Sequence, residues 1–261
     1  MTNITEYLHL NPMGSPYLKY ALNEYSQCGE DGVIAKILED LSINEGTLVE
    51  FGAWDGIYLS NIYNLHRGGN FNAILIESDI KRSLAYPKNI RNSRMYNFTV
   101  SPNRDDRNSI DSILDEIGYE NKKNDLVLMS IDIDSSDYYV MESIEKHLPI
   151  IIVIETSIAH ALGSNFKSYD SGCSFDSVWD LGVKKGYSLV AYTSNAILVR
   201  NDHVDKLKEF KTNSKKEDIY IDEIQYLTLA RLNERGEIMD NYFGESKRYL
   251  EKVSKEKIYG I

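Results

Sequence analysis

Short apolar runs separated by amphipathic segments form the main pattern along this chain. β-branched and apolar residues occupy positions 47–51, 72–76, 126–133 and 150–154, and a weaker run covers 95–100, so each segment predicts a strand. Between the runs, helical spacing of apolar residues predicts helices over 31–41, 60–67, 109–118, 139–147 and 175–185. This alternation is typical of a parallel sheet that helices cover on both faces.

The last two strands break the alternation. Residues 187–192 and 196–199 are joined by Thr193-Ser194-Asn195, which predicts a hairpin. The chain is therefore expected to adopt an α/β fold. The expected sheet is doubly wound, mostly parallel and seven-stranded, and it ends in an antiparallel hairpin.

Three regions differ in composition. Residues 1–24 are polar and aromatic and contain two prolines and a glycine, which predicts an N-terminal cap or lid. The alternating pattern fills residues 25–202, the main domain. Residues 203–261 carry dense mixed charge, with amphipathic helices expected at 203–211 and 219–232. We expect this helical extension to pack on the domain; a dimerisation element, and hence a homo-oligomer, is the alternative.

The charge balance limits the classes of partner. The 261 residues include 40 acidic and 29 basic side chains, for a net charge of −11. Nucleic-acid binding draws its affinity from lysine and arginine, so a nucleic-acid partner is not expected. A small-molecule ligand fits better.

The sequence also bears on the cellular setting. No apolar run approaches the roughly 18 to 20 residues that cross a bilayer, so membrane insertion is not expected. No leader segment is visible, and Cys28 and Cys173 are too far apart for a metal knuckle or a redox pair. These features predict a cytoplasmic location.

Acidic residues lie at the ends of four of the predicted strands. Ligands of doubly wound sheets bind at the carboxyl ends of strands, where these acids are expected to lie. A helix cap or a solvated charge would explain any one of them, but four in order along the chain favour a ligand site. The acids are Glu50, Glu77 with Asp79, Asp132 with Asp134, and Glu155.

The first strand end contains two glycines. Gly52 is expected to let a ligand approach the backbone, and Gly56 to permit the following turn. The third glycine of the dinucleotide fingerprint is missing, and no phosphate-binding P-loop sequence occurs. Glu77 follows at a spacing that suits an acceptor for ribose hydroxyls. Trp54, inside the turn, is a candidate wall of the pocket.

These motifs resemble those of a known family. Residues 50–56 read Glu-Phe-Gly-Ala-Trp-Asp-Gly and are followed by Ser60-Asn61 and Leu75-Ile76-Glu77. They resemble class I S-adenosylmethionine-dependent methyltransferases, and most of all the FkbM-like branch that acts on sugars and natural products. Residues 25–32, 130–134 and 186–196 also resemble segments of that branch. The resemblance covers about residues 25 to 202 and implies a Rossmann-like methyltransferase fold.

The resemblance implies a cofactor site for S-adenosylmethionine. In it, Glu50, Gly52 and Gly56 line the methionine and ribose portions, and Glu77 binds the ribose hydroxyls. Further positions that match or adjoin the cofactor motifs are Gln27, Asp55, Asn61 and Ser78. The chain departs from the family after Asp132, where Asp134-Ser135-Ser136 stands in place of the usual Glu-Gly pair.

The candidate catalytic residues are Asp132, Asp134 and His160. Paired carboxylates can raise the pKa of one member to make a base, or gather a divalent cation. Asp132, Asp134 and Glu155 resemble the magnesium ligands of related sugar methyltransferases, so Mg²⁺ or Mn²⁺ is an expected second cofactor. A capping role for Asp137 and a structural role for His160 are the alternatives.

The sequence therefore predicts an enzyme, an O-methyltransferase. The resemblance implies that its acceptor is a hydroxyl of a sugar or of a nucleotide-activated precursor of capsule or other surface polysaccharide. The alternatives are a nitrogen, phosphoryl, phosphoramidate or natural-product acceptor, or a non-catalytic nucleotide-binding scaffold on the same fold.

Overall fold

A computed structural model describes residues 13–120, 125–223 and 225–226. In these residues one seven-stranded sheet has the order β3-β2-β1-β4-β5-β7-β6. Neighbouring strands are parallel except that β7 is antiparallel to both β5 and β6. The predicted fold class is thus confirmed. The strands are Gly46–Phe51 (β1), Phe71–Ile76 (β2), Ser93–Tyr96 (β3), Leu126–Ile131 (β4), Ile151–Glu155 (β5), Tyr187–Tyr192 (β6) and Asn195–Arg200 (β7).

Helices and two 3-10 turns connect the strands. The 3-10 turns cover Pro16–Tyr20 and Val204–Lys206. Among the described residues, no helix is long and apolar enough to cross a bilayer. The helices are Glu30–Leu41 (α1), Tyr63–His66 (α2), Ile80–Leu84 (α3), Ile110–Glu116 (α4), Asp137–Ser143 (α5), Phe175–Lys185 (α6) and Lys216–Ile219 (α7).

The central strands lie inside the core. All six residues of β4 and the first four of β5 are buried, as expected for parallel strands with helices on both faces. Their apolar composition explains why they read as continuous hydrophobic runs rather than as alternating patterns.

The register brings the strand ends to one edge of the sheet. Phe51 at the end of β1 lies opposite Ile76 and Ile131, and Ile131 lies opposite Ile154. The next residues along these strands therefore form a row at the carboxyl edge, with adjacent strands about 4.8 Å apart. The row consists of Gly52, Glu77, Asp132 and Glu155.

Two helices are shorter than the sequence predicts. The helix expected over 60–67 begins at Tyr63, because the Ser60 hydroxyl accepts hydrogen bonds from the N–H groups of Ile62 and Tyr63 in a preceding turn. The helix expected over 139–147 is α5, which begins at Asp137 and ends at Ser143. It ends early because the backbone N–H groups of residues 145–147 turn away to donate to the carboxylate of Asp111.

The first described residues are built into the main core. Tyr17 and Leu18 are completely buried. The Ser15 hydroxyl donates to the carbonyl of Val190 in β6, and the Tyr17 hydroxyl donates to Asp40 in α1. Residues 15–18 of the predicted cap therefore contribute to the stability of the domain. Residues 1–12 of that cap lie outside the described part.

The region after β7 also joins the core as far as residue 221. The helix expected over 203–211 is only the 3-10 turn Val204–Lys206, after which Lys208 N–H donates to the carboxylate of Asp40. Ile219 and Ile221 are buried in the main hydrophobic cluster. The second expected helix, over 219–232, extends into residues outside the described part, so the helical extension remains a prediction there.

Candidate functional site

Glu50 anchors the carboxyl end of β1. It is buried and accepts hydrogen bonds from the Ser60 hydroxyl at 2.6 Å and from Asn61 N–H at 2.8 Å. The Asn61 side-chain amide donates to the Ser130 hydroxyl of β4 at 3.1 Å. Burial raises the pKa of Glu50 to about 7, and the hydrogen bonds oppose that rise. Glu50 and Asn61 thus hold the loop after β1 against β4.

The two glycines of the turn are required by packing against the protein itself. Gly52 has a φ of +76°, and a Cβ there would collide with the backbone carbonyl of Asp132. Gly56 has a φ of +73°, and its Cβ would collide with the ring of Tyr86. Gly52 was expected to leave space for a ligand, and this expectation is wrong. The loop after β4 occupies the space beside Gly52. Whether Gly52 and Gly56 also line the cofactor stays a prediction.

The turn between the glycines is held by two carboxylates. Asp55 Oδ1 accepts from the N–H groups of Ile57 and Tyr58, which closes the turn locally. Trp54 has a left-handed φ of +51°, and its N–H donates to Glu77 at 2.8 Å. Trp54 is 40% exposed, and the guanidinium of Arg82 lies over its ring at 3.4 Å from the ring centre. Trp54 therefore lies at the rim of the strand-end edge, where the sequence predicted a pocket wall.

Glu77 connects the loops after β1 and β2. Its Oε2 accepts from Trp54 N–H, and its Oε1 accepts from Asp79 N–H at 2.7 Å. Each carboxylate oxygen can accept a further hydrogen bond, so Glu77 retains capacity for hydroxyl donors. Ser78 is exposed beside it, with its hydroxyl 3.4 Å from Glu77 Oε1. This geometry suits the predicted role of Glu77 toward a ribose.

Asp132, Asp134 and Glu155 lie together, as the sequence predicted. One oxygen from each falls within 4.8 Å of the others. Burial raises the pKa of Asp132 well above its ordinary value, and the charge of Glu155 adds to this rise. Burial, followed by the charges of Asp134 and Asp137, raises the pKa of Glu155 to about 7. Three carboxylates in this arrangement need a proton or a cation to relieve their repulsion.

Asp137 has a structural role beside this cluster. It is completely buried, and its carboxylate accepts from the N–H groups of Ile133 and Ser135 at 2.8 and 3.0 Å. These bonds support the loop in which Asp134 has a left-handed φ of +59°. As a helix cap would, the Asp137 carboxylate binds backbone N–H groups. These groups lie in the loop before α5, however, and α5 begins at Asp137 itself.

Two predicted site residues, His160 and Gln27, form no hydrogen bond or ion pair with the acids among the described residues. The ring of His160 stacks on Phe166 at 4.2 Å between ring centres, and its carbonyl accepts from the Tyr220 hydroxyl. Gln27 is half-buried, and its backbone carbonyl accepts from the side-chain amide of Asn23. The stacking of His160 favours the structural alternative, while a role for either residue in the site remains a prediction.

Two buried acids at the start of α1 are not among the site residues that the sequence predicts. Glu30 is completely buried and accepts hydrogen bonds from Cys28 N–H, the Thr193 hydroxyl and the Asn195 amide. Asp31 is also buried, and burial raises the pKa of both carboxyls. Acids in the first turn of a helix usually interact with the helix dipole at the surface, so spacing alone does not reveal their burial.

The acids of this edge lack basic partners. In the described residues, no lysine, arginine or histidine lies within 4 Å of their carboxylate oxygens. The edge therefore favours a cation and disfavours phosphate groups. The acids of this edge are Glu30, Asp31, Glu50, Glu77, Asp132, Asp134 and Glu155.

Comparisons with known proteins match this chain to solved structures but to no family profile. No family profile and no curated protein matches the chain. Among solved structures, the CurJ carbon methyltransferase is 11% identical with a TM-score of 0.45, over 67% of this chain and 54% of that one. TrmK of M. capricolum, in complex with S-adenosyl-homocysteine, is 10% identical with a TM-score of 0.42, over 85% and 95% of the two chains. A TehB-like SAM-dependent methyltransferase from Corynebacterium glutamicum is 10% identical with a TM-score of 0.39, over 64% and 86%.

This chain spans just over half the length of the CurJ structure. At such identities and TM-scores, the activity has to be argued from the chain's own residues.

Proposed function

We propose that this chain is an S-adenosylmethionine-dependent methyltransferase. The observation that carries the proposal is the row of strand-end acids without basic partners, with Glu50, Glu77 and Asp132 on three adjacent strands. S-adenosylmethionine brings a sulfonium, an ammonium and two ribose hydroxyls, so its charge and donors complement this edge. ATP and dinucleotides bring phosphates, which the same acids repel. The cofactor, when bound, supplies an electrophilic methyl group.

The residues fit this cofactor in two further respects. Glu77 has spare acceptor capacity for the ribose hydroxyls while its existing bonds hold the two loops in place. Hydrogen bonds of Glu50 and Asn61 hold the loop after β1 in place, so the edge is pre-organised before a ligand binds. The proposed cofactor residues are therefore Glu50, Glu77 and Asn61, with the glycine turn shaping the loop.

The proposed acceptor is a hydroxyl group. A hydroxyl loses its proton during methyl transfer, and a base with a pKa near the working pH removes it most effectively. Glu155 has a pKa of about 7 because of its burial and its acidic neighbours, and it lies beside Asp132 at the same edge. The choice of a sugar hydroxyl rests on the resemblance to the FkbM-like branch.

The same three carboxylates could hold a divalent cation. Asp132, Asp134 and Glu155 offer only oxygen ligands within 4.8 Å of one another, a donor set that suits Mg²⁺ or Mn²⁺. A bound cation would lower the pKa of an acceptor hydroxyl. In that case these acids would orient the acceptor rather than remove its proton.

Ligand binding tests the proposal directly. Calorimetry on the full chain should show binding of S-adenosylmethionine and S-adenosylhomocysteine, and no binding of ATP or NAD⁺ at the same concentrations. Absence of binding by both adenosyl ligands would reject the methyltransferase. Binding without methyl transfer to any hydroxyl in a panel of sugars and nucleotide-sugars would leave the cofactor site but reject the proposed acceptor class.

A further inference from the structure

A large groove lies between α5, the end of α6 and the loop after β3. Its volume is about 1070 Å³, just above the roughly 300–1,000 Å³ that is usual for small-molecule sites. Its lining comes from residues 102–105, the second half of α5 with the residues that follow it, residue 169, and the last turn of α6. A groove of this size accommodates a ligand of several linked rings.

Two stacked tyrosines form an aromatic surface in this groove. The rings of Tyr139 in α5 and Tyr169 in the loop after β5 are parallel within 3°, and their centres are 3.9 Å apart. Tyr139 covers one face of Tyr169, yet Tyr169 is 58% exposed, so its other face is open to solvent. An open aromatic face that a stacking partner holds in place suits the apolar face of a further ring.

The basic side chains of the groove already have acceptors. Arg104 pairs with Glu145 at 2.8 Å, and Lys184 pairs with Glu142 at 3.4 Å. The Lys185 ammonium donates to two backbone carbonyls at the end of α5, at 3.1 and 2.6 Å. Among the described residues that line the groove there is no further cation. A phosphate or carboxylate group would therefore have to displace an existing partner.

The groove also has no net charge. Three acidic side chains balance the three basic ones, although the whole chain carries −11. One of the acids, Asp105, is exposed and forms no ion pair within 4 Å in the described part of the chain, so its carboxylate is open to hydroxyl donors. An uncharged ring with hydroxyl groups at its edge and an apolar C–H face suits both the carboxylate and the tyrosine. A glycan is built of such rings.

One end of the groove adjoins the loop that carries Asp134. The segment of Tyr169 is tied to that loop, because Gly172 N–H donates to the carbonyl of Ser135 at 2.7 Å. Tyr139 lies in the first turn of α5, the helix that directly follows the same loop. A chain bound over Tyr169 can therefore extend toward Asp134 and the proposed acceptor site.

We propose that this groove binds an uncharged glycan chain, one ring of which stacks on Tyr169. The inference rests on the proposed function, because the end of the bound chain supplies the hydroxyl that is methylated. It adds a binding region outside the strand-end edge. It also favours an oligosaccharide acceptor over a free sugar or a nucleotide-sugar.

Glycan binding tests this site without any methyl transfer. The full chain is applied to an array of immobilised glycans of four or more units, both uncharged and acidic, and the glycan that binds best is then titrated by calorimetry. Tyr169→Ala should lower the affinity about 10-fold because the ring contact is lost, whereas Tyr169→Phe should bind within about twofold of the unmodified chain. Val183→Ala is the matched control and should bind normally, since Val183 is 63% exposed on α6 but does not line the groove.

A kinetic comparison tests the connection to the acceptor site. With S-adenosylmethionine present, the oligosaccharide should be methylated with a lower KM than the monosaccharide at its end, and Tyr169→Ala should abolish that difference. Equal KM values in the unmodified chain would overturn the connection.

The outcomes separate this site from the proposed function. No bound glycan, a preference for acidic glycans, or equal affinities of Tyr169→Ala and the unmodified chain would overturn the glycan site, while S-adenosylmethionine binding would still support the methyltransferase. Conversely, a chain that binds a glycan through Tyr169 but binds no adenosyl ligand would keep the glycan site and lose the proposed function.

Discussion

The packing of Gly52 against the loop after β4 predicts a specific loss of stability. Gly52→Ala would place a methyl group against the carbonyl of Asp132 and would also hold an alanine at a φ of +76°. The left-handed conformation costs an L-residue roughly 1–2 kcal/mol. The collision involves backbone rather than a movable side chain, so overpacking adds about 1–3 kcal/mol. We therefore expect a total loss of about 2–5 kcal/mol in the free energy of unfolding.

Gly186→Ala separates the two contributions. Gly186 follows α6 with a φ of +80°, and a Cβ there would meet nothing within 4 Å. This control should lose only the conformational part, roughly 1–2 kcal/mol. Urea unfolding followed by circular dichroism measures both variants. An equal loss in the two would refute the steric argument and would return Gly52 to the role of leaving space for a ligand.

Three other predictions concern the acids of the strand-end edge. Glu77→Ala should lower the affinity for S-adenosylhomocysteine by roughly 1.5–3 kcal/mol in calorimetry, because hydrogen bonds to a charged acceptor are lost; unchanged affinity would remove Glu77 from the site. If Asp132, Asp134 and Glu155 hold a cation, a chelator should abolish turnover but leave cofactor binding largely intact, and added Mg²⁺ should restore turnover. Full activity of a protein shown to be metal-free by elemental analysis would instead assign the acids to proton removal alone. Glu50 has a pKa of about 7 in the folded chain, against an ordinary value of 4.5. The contribution of its protonated carboxyl to the free energy of unfolding is therefore complete below pH 4.5. That contribution, about 3 kcal/mol, is lost as the pH rises through 7. The free energy of unfolding, measured with a chelator present, should therefore decrease less between pH 5 and pH 8 in Glu50→Gln than in the unmodified chain. An equal decrease in the two would contradict the burial of that charge.

Hydrophobic patterning alone predicted the strands and their succession along the chain. The apolar run from Leu126 and the run from Ile150 are so continuous that only buried parallel strands accommodate them, and both form central strands. Because parallel strands end at one edge, the same pattern also predicted that Asp132, Asp134 and Glu155 would lie together. Periodicity and topology were sufficient for these conclusions because both are properties of the backbone path.

Only the tertiary structure decided which groups the local motifs contact. Gly52 has the same sequence signature whether a ligand or Asp132 lies against it, and the packing of two loops distant in sequence makes the difference. Asp31 likewise looks like a surface acid in the first turn of a helix, yet it is buried with one oxygen engaged and the other unpaired. Burial and hydrogen-bond partners depend on which distant segments meet, and spacing along the chain does not contain that information.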